Sequence, residues 1–150
     1  MKTNDFRLHM MIDGVDCAHF SLIEFENPAG WCMVHPSVVR ALELTRAGLN
    51  AQSTQGEVEI IITDSVRTVT QNEALGKRFG WTDHGGIVSR NSYHLMKYGG
   101  IAVDFKARYK TSGMLLSSRA VFCVAVLFFD YCKSYDDGHV HGDMRKLVTG

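Results

Sequence analysis

The segment SYHLMKYGGIAVDF, residues 92 to 105, sets a histidine, His94, ten residues ahead of an aspartate, Asp104, that interrupts an apolar run. A buried carboxylate is costly unless it is paired or holds a metal ion, so Asp104 requires a compensating group. Gly99, Gly100 and Ala102 lie between the two and leave room for one. Further along, GHVHGDMR places His139, His141, Asp143 and Arg145 at alternate positions. Two imidazoles and a carboxylate form the donor set of a catalytic zinc site, in which three protein ligands leave the fourth tetrahedral place to water. The candidates are His94, Asp104 and one of His139 or His141, from three separate segments. A histidine taken singly is more often a hydrogen-bonded or surface residue than a ligand, and His9, His19, His35 and His84 are read that way.

These side chains need elements to position them. IAVDFKA alternates, with Ile101, Val103 and Phe105 on one face and Ala102, Asp104 and Lys106 on the other, which predicts a strand. EVEIIIT alternates in the same way through Val58, Ile60 and Ile62. A third strand is expected over residues 138 to 145. HPSVVRALELTRAG predicts a helix with Pro36 at its first position and Gly48 just past its end. TQNEALGKRFG predicts a short helix opened by Thr70 with Glu73 and ending near Gly80. Residues 82 to 92 read as loop. Residues 114 to 130 hold the longest apolar stretch, AVFCVAVLFF, too long and too irregular for an ordinary strand, and predict a core helix. Strands and helices mixed without a βαβ repeat predict an α+β domain with a small antiparallel sheet flanked by helices.

At 150 residues the chain is most simply one domain, residues 1–150, large enough to bury a hydrophobic core. Sixteen basic residues balance sixteen acidic ones and no basic stripe is present, which argues against nucleic acid as a partner. The ten-residue apolar run cannot span a bilayer. MKTNDFRLHMMIDG lacks the apolar core of a secretory signal, so synthesis in the cytoplasm is expected. Cys17, Cys32, Cys123 and Cys132 form no CxxC pair. Free thiols are expected, with Cys123 as a packing residue, although Cys17 and Cys32 could pair in an oxidising space.

The order of these features resembles the zinc D-alanyl-D-alanine carboxypeptidase and peptidoglycan L-Ala-D-Glu endopeptidase family, of the hedgehog/DD-peptidase fold group. That family carries S-x-H-x-x-G-x-A-x-D, matched at its start by Ser92 and His94 and at its end by Gly100, Ala102 and Asp104. Its arginine turn is similar to ITDSVRTVTQNEAL, which implies a substrate-binding arginine at Arg67, and Ser92 of the first motif is taken as a second substrate-binding residue. HFSLIEF and HPSVVRALELTR resemble the opening segment and first long helix. The histidine and aspartate stand three residues further apart than is usual in the family, and a bulged loop before the strand is the expected accommodation.

The resemblance leaves two registers at the last strand. One makes His141 the third ligand, supported by Asp143 and Arg145, with His139 as the proton-transfer group and Asp136 or Asp137 as competing bases. The other makes His139 the ligand and Asp136 the base. The first is favoured. The implied activity is hydrolysis of bacterial cell-wall peptide by a zinc-activated water, with Zn2+ as cofactor and Arg67 holding a substrate carboxylate. A phage-type lysin acting on the wall after release is the implied setting. The alternative is a non-catalytic zinc-containing binding module of the same fold.

Overall fold

In the computed structural model, which describes residues 10–149, the two alternating segments become neighbouring strands, one at an edge and one inside, of a four-stranded sheet. Its strands are β3 (Val58–Asp64), β4 (Ala102–Tyr109), β5 (Tyr131–Ser134) and β6 (Val140–Asp143), in the order β3-β4-β6-β5 with every pair antiparallel. A separate hairpin joins β1 (Met10–Ile12) to β2 (Val15–Cys17). The helices are α1 (Pro36–Gln52), α2 (Val69–Phe79), α3 (Ser118–Ala125) and α4 (Lys146–Thr149). The expected α+β architecture with a small antiparallel sheet is therefore present. His9 and most of the N-terminal segment read for a leader lie outside the described residues.

One face of the sheet carries Val58, Ile60, Val103, Phe105, Ala107, Cys132 and Val140, all buried. They share a core with Val38, Leu42 and Leu49 of α1 and with Val121 and Val124 of α3. Phe129 stacks on Phe105 with ring centroids 5.8 Å apart. The polar side chains of the same strands alternate onto the opposite face, which is left to build a site. Among the described residues, no helix is long and apolar enough to cross a membrane.

Four local expectations are corrected. Helix α1 continues past Gly48 to Gln52, because Gly48 is where α3 crosses it: a Cβ there would stand 2.7 Å from Val124 Cγ1. Close helix packing, not termination, explains that glycine. Helix α2 is opened by Thr68 rather than Thr70; Thr68 Oγ1 accepts from the Gln71 amide at 3.1 Å, and Gln71 Oε1 accepts from the Thr68 amide at 2.9 Å. The long apolar segment is not one helix. Ser117 caps α3 at its start, the chain turns after Ala125, and Tyr131 already belongs to β5. The run stays apolar through the turn because Phe128 and Phe129 fold back onto the core. Cys123 is exposed on the outer side of α3, whereas Cys17 and Cys132 are the buried cysteines, and all four thiols are free.

Candidate metal centre

The register of the sheet sets one polar row across all four strands. Asp64 lies opposite Asp104, Asp104 opposite His141, and His141 opposite Lys133. Directly opposed residues share a face, so these four side chains line up on the side away from the core. A bulge between Ile62 and Asp64 brings Asp64 into the row: Ile62 pairs with Phe105, and Asp64, not Thr63, pairs with Asp104. An inserted residue of this kind re-aims the side chains that follow it.

His94 reaches the row from a loop clamped onto the Arg67 turn. The Arg67 amide donates to the His94 carbonyl at 2.7 Å, and the Met96 amide donates back to the Arg67 carbonyl at 3.0 Å. The extra residues before β4 are absorbed by a short 3-10 turn at Met96–Tyr98 and by Gly99 and Gly100, both at positive φ. Gly100 is required for a second reason, since a Cβ would stand 2.8 Å from the Met33 carbonyl oxygen. The longer spacing thus closes without separating the ends: His94 Nε2 lies 3.1 Å from Asp104 Oδ1.

His141 completes a triangle. Its Nδ1 is 3.0 Å from Asp104 Oδ1 and 3.0 Å from His94 Nε2. Among the described residues, His94, Asp104 and His141 converge as a group whose ligand atoms could hold a metal ion. The outer ring nitrogens decide what the inner ones can do. His94 Nδ1 lies 2.6 Å from the Ser65 carbonyl, which can only accept, so this nitrogen carries a proton. His141 Nε2 lies 2.7 Å from Asp143 Oδ2, again an acceptor. In the neutral rings the inner nitrogens are then bare lone pairs, and with the Asp104 oxygen they form three acceptors facing one another. Such a triangle requires a cation at its centre, a proton or a metal ion. Atoms bound tetrahedrally to a zinc-sized ion at about 2.0–2.1 Å stand roughly 3.3 Å apart, so small outward movements of these side chains would admit one.

Electrostatics keeps the two carboxylates ionised and, through their hydrogen bonds, pushes the His141 imidazole up despite its burial. Burial would raise the Asp104 carboxyl, but the charges and hydrogen bonds of His94 and His141 outweigh it and hold the group well below the usual carboxylate range. Burial likewise works against ionisation of Asp143, yet the Arg145 guanidinium and the His141 ring pull it down to about 2. Arg145 grips Asp143 with Nε at 2.9 Å and a terminal nitrogen at 2.7 Å, and is itself sandwiched between Tyr131 and Tyr93. This chain of contacts orients His141 from behind, an arrangement that raises ligand basicity. Asp143→Asn is therefore expected to weaken metal binding roughly 10- to 100-fold, read by competition with a chelating dye, and to lower the thermal stability of the metal-free protein, because Arg145 loses its buried partner.

His139 stands just before β6 and also faces the site. Its Nε2 is 4.0 Å from Asp104 Oδ2, its Nδ1 is hydrogen-bonded to Asp137, and its ring stacks on Tyr135 at 4.1 Å and 10°. Asp136 is exposed and does not line the cleft, whereas Asp137 does. Of the two carboxylates read as competing bases, the fold brings only Asp137 to the imidazole. The register placing His141 in the triangle and His139 beside it is the arrangement seen.

Arg67 flanks the triangle on the other side. Its Nε and one terminal nitrogen contact Asp64 Oδ2 at 2.8 and 2.6 Å, and that terminal nitrogen lies 3.8 Å from Asp104. The second terminal nitrogen makes only long contacts, 3.4 Å to Asn72 Oδ1 and 3.5 Å to Ser92 Oγ. Ser92 also accepts from the His94 amide at 3.3 Å and so ties the arginine turn to the ligand loop. The remaining histidines are elsewhere: His19 pairs with Glu43, His35 caps α1, and His84 is exposed beside Asp83.

Sequence reasoning missed Ser65, whose carbonyl orients His94, along with Asp64, Tyr135 and Lys133. Nothing in the local pattern of Ser65 could have revealed it; Asp64 and Lys133 were recoverable only from strand pairing. Apart from Ser65, these groups border one open cleft of about 590 Å³, which Phe79 and Ile87, both exposed, also line. A cleft is thus present in which three side chains that could hold a metal ion, a carboxylate-backed imidazole and a cation face the same space. Comparison of the chain with protein-family models, with curated proteins and with solved structures gave no match.

Proposed function

We propose that this protein is a zinc-dependent peptidase that hydrolyses bacterial cell-wall peptide, with the hedgehog/DD-peptidase type of fold and a phage-type lysin's site of action at the wall. The observation carrying this reading is the triangle of three acceptors at 3.0–3.1 Å beside a carboxylate-backed imidazole in an open cleft. The motif S-x-H with G-x-A-x-D, and the arginine turn at Arg67, supply the substrate class by resemblance.

His94, Asp104 and His141 would hold the ion. When bound, zinc lowers the pKa of a coordinated water to about 7 and polarises a carbonyl. His139 would serve as the general acid–base, taking a proton from the attacking water and returning one to the departing amine. Asp137 holds its Nδ1–H and stabilises the imidazolium that forms, while Tyr135 restricts the ring to one plane. Arg67 offers a substrate carboxylate the terminal nitrogen that now makes only long contacts to Asn72 and Ser92. Asp64 fixes the guanidinium plane for that purpose.

The test is metal analysis of the purified protein together with release of peptide or D-alanine from purified peptidoglycan. One zinc per chain with turnover is the expected result. Zinc without turnover overturns the peptidase reading in favour of a binding module of the same fold, and the absence of both zinc and turnover overturns the two readings together.

A further inference from the structure

We infer that Lys133 is a second anion-binding group of the cleft, one that selects a substrate with a free carboxylate flanking the scissile bond; this rests on the peptidase reading above. Three cations line the cleft: Arg67, Lys133 and Arg145. Arg67 is engaged by Asp64 and Arg145 by Asp143, each through two nitrogen–oxygen contacts of 2.6–2.9 Å. Lys133 has no carboxylate partner among the described residues. Its ammonium instead lies over the Tyr135 ring, 5.1 Å from the centroid.

Placement gives that unpaired charge its meaning. Lys133 occupies the row of Asp64, Asp104 and His141, at the end opposite Asp64. Neighbouring strands are about 4.8 Å apart, so its backbone stands one strand beyond the ligand His141. A peptide residue spans about 3.3–3.6 Å when extended, and a lysine side chain at that distance meets the residue adjoining the bond under attack. Strand β5 is one edge of the sheet, so among the described residues no further strand lies beyond Lys133. Tyr135 both supports the lysine and packs on His139, which ties the anion-binding position to the proton-transfer group. The contacts of Arg67 and Arg145 restrain them, whereas Lys133 is free to pair with an incoming anion. In cell-wall peptide the matching group is the free carboxylate of D-glutamate.

The experiment compares wild type with Lys133→Ala and Lys133→Glu on two forms of the peptide L-Ala-D-Glu-L-Lys-D-Ala-D-Ala, one with that carboxylate free and one with it amidated. For Lys133→Ala, kcat/KM on the free form is expected to fall roughly tenfold, with no change on the amidated form and unchanged zinc content. Lys133→Glu is expected to prefer the amidated form. Equal loss on both peptides, or no loss on either, overturns the assignment while leaving the peptidase reading intact. Absence of turnover of both peptides by the wild type sinks that reading and this inference together.

Discussion

Asp104→Ala protein is expected to purify with less than about a tenth of the zinc of the wild type and to lose turnover of peptidoglycan by at least about 100-fold. The reasoning starts from the central oxygen of the triangle. Asp104 Oδ1 touches both inner ring nitrogens, at 3.1 and 3.0 Å, and is the only negative charge among the three ligand atoms. Without it, two neutral imidazoles remain, and a two-nitrogen site holds a divalent ion far more weakly than one that includes a carboxylate. Removing a buried charged partner also disturbs its neighbours, so Asp104→Asn serves as the variant that keeps shape and hydrogen bonding while losing charge. Both proteins should fold, as judged by circular dichroism and thermal unfolding. Stoichiometric zinc in both would end the metal-site assignment.

The second large effect separates chemistry from metal binding. His139→Ala is expected to retain zinc at the wild-type level and to lose kcat by about 10²–10⁴-fold, the range associated with a positioned acid–base group. His139 Nε2 is outside the triangle, 4.0 Å from the far oxygen of Asp104, so its removal leaves every ligand contact in place. His141→Ala is the companion measurement, because it should lose the metal itself. If instead His139→Ala loses zinc and His141→Ala keeps it, the roles of the two histidines are exchanged. If His139→Ala leaves turnover unchanged, proton transfer belongs to another group.

The strands and the site differed in how much of each could be read along the chain. Alternation in EVEIIIT and IAVDFKA was a sufficient signal for β3 and β4, because a sheet buried on one face imposes a period of two. The same logic failed for residues 114 to 130, where a short helix, a turn and the start of a strand are all apolar. There the core covers the turn itself, through Phe128 and Phe129, so hydropathy does not change where the backbone does. Gly48 was misread for a related reason. A glycine that ends a helix and one that admits a crossing helix look alike until Val124 is seen against it.

Read without its fold, the chain determined the chemical types available and their separation: two imidazoles, a carboxylate preceded by small residues, and an arginine in a turn. Residue chemistry is a local property, and alternation tells which strand residues share a face. The tertiary structure alone decided which histidine completes the triangle, which aspartate backs His139, and that Lys133 shares a row with Asp104. Those outcomes depend on inter-strand register and on the bulge before Asp64, both fixed by how distant segments pair. A shift of one residue would turn every one of these side chains into the core.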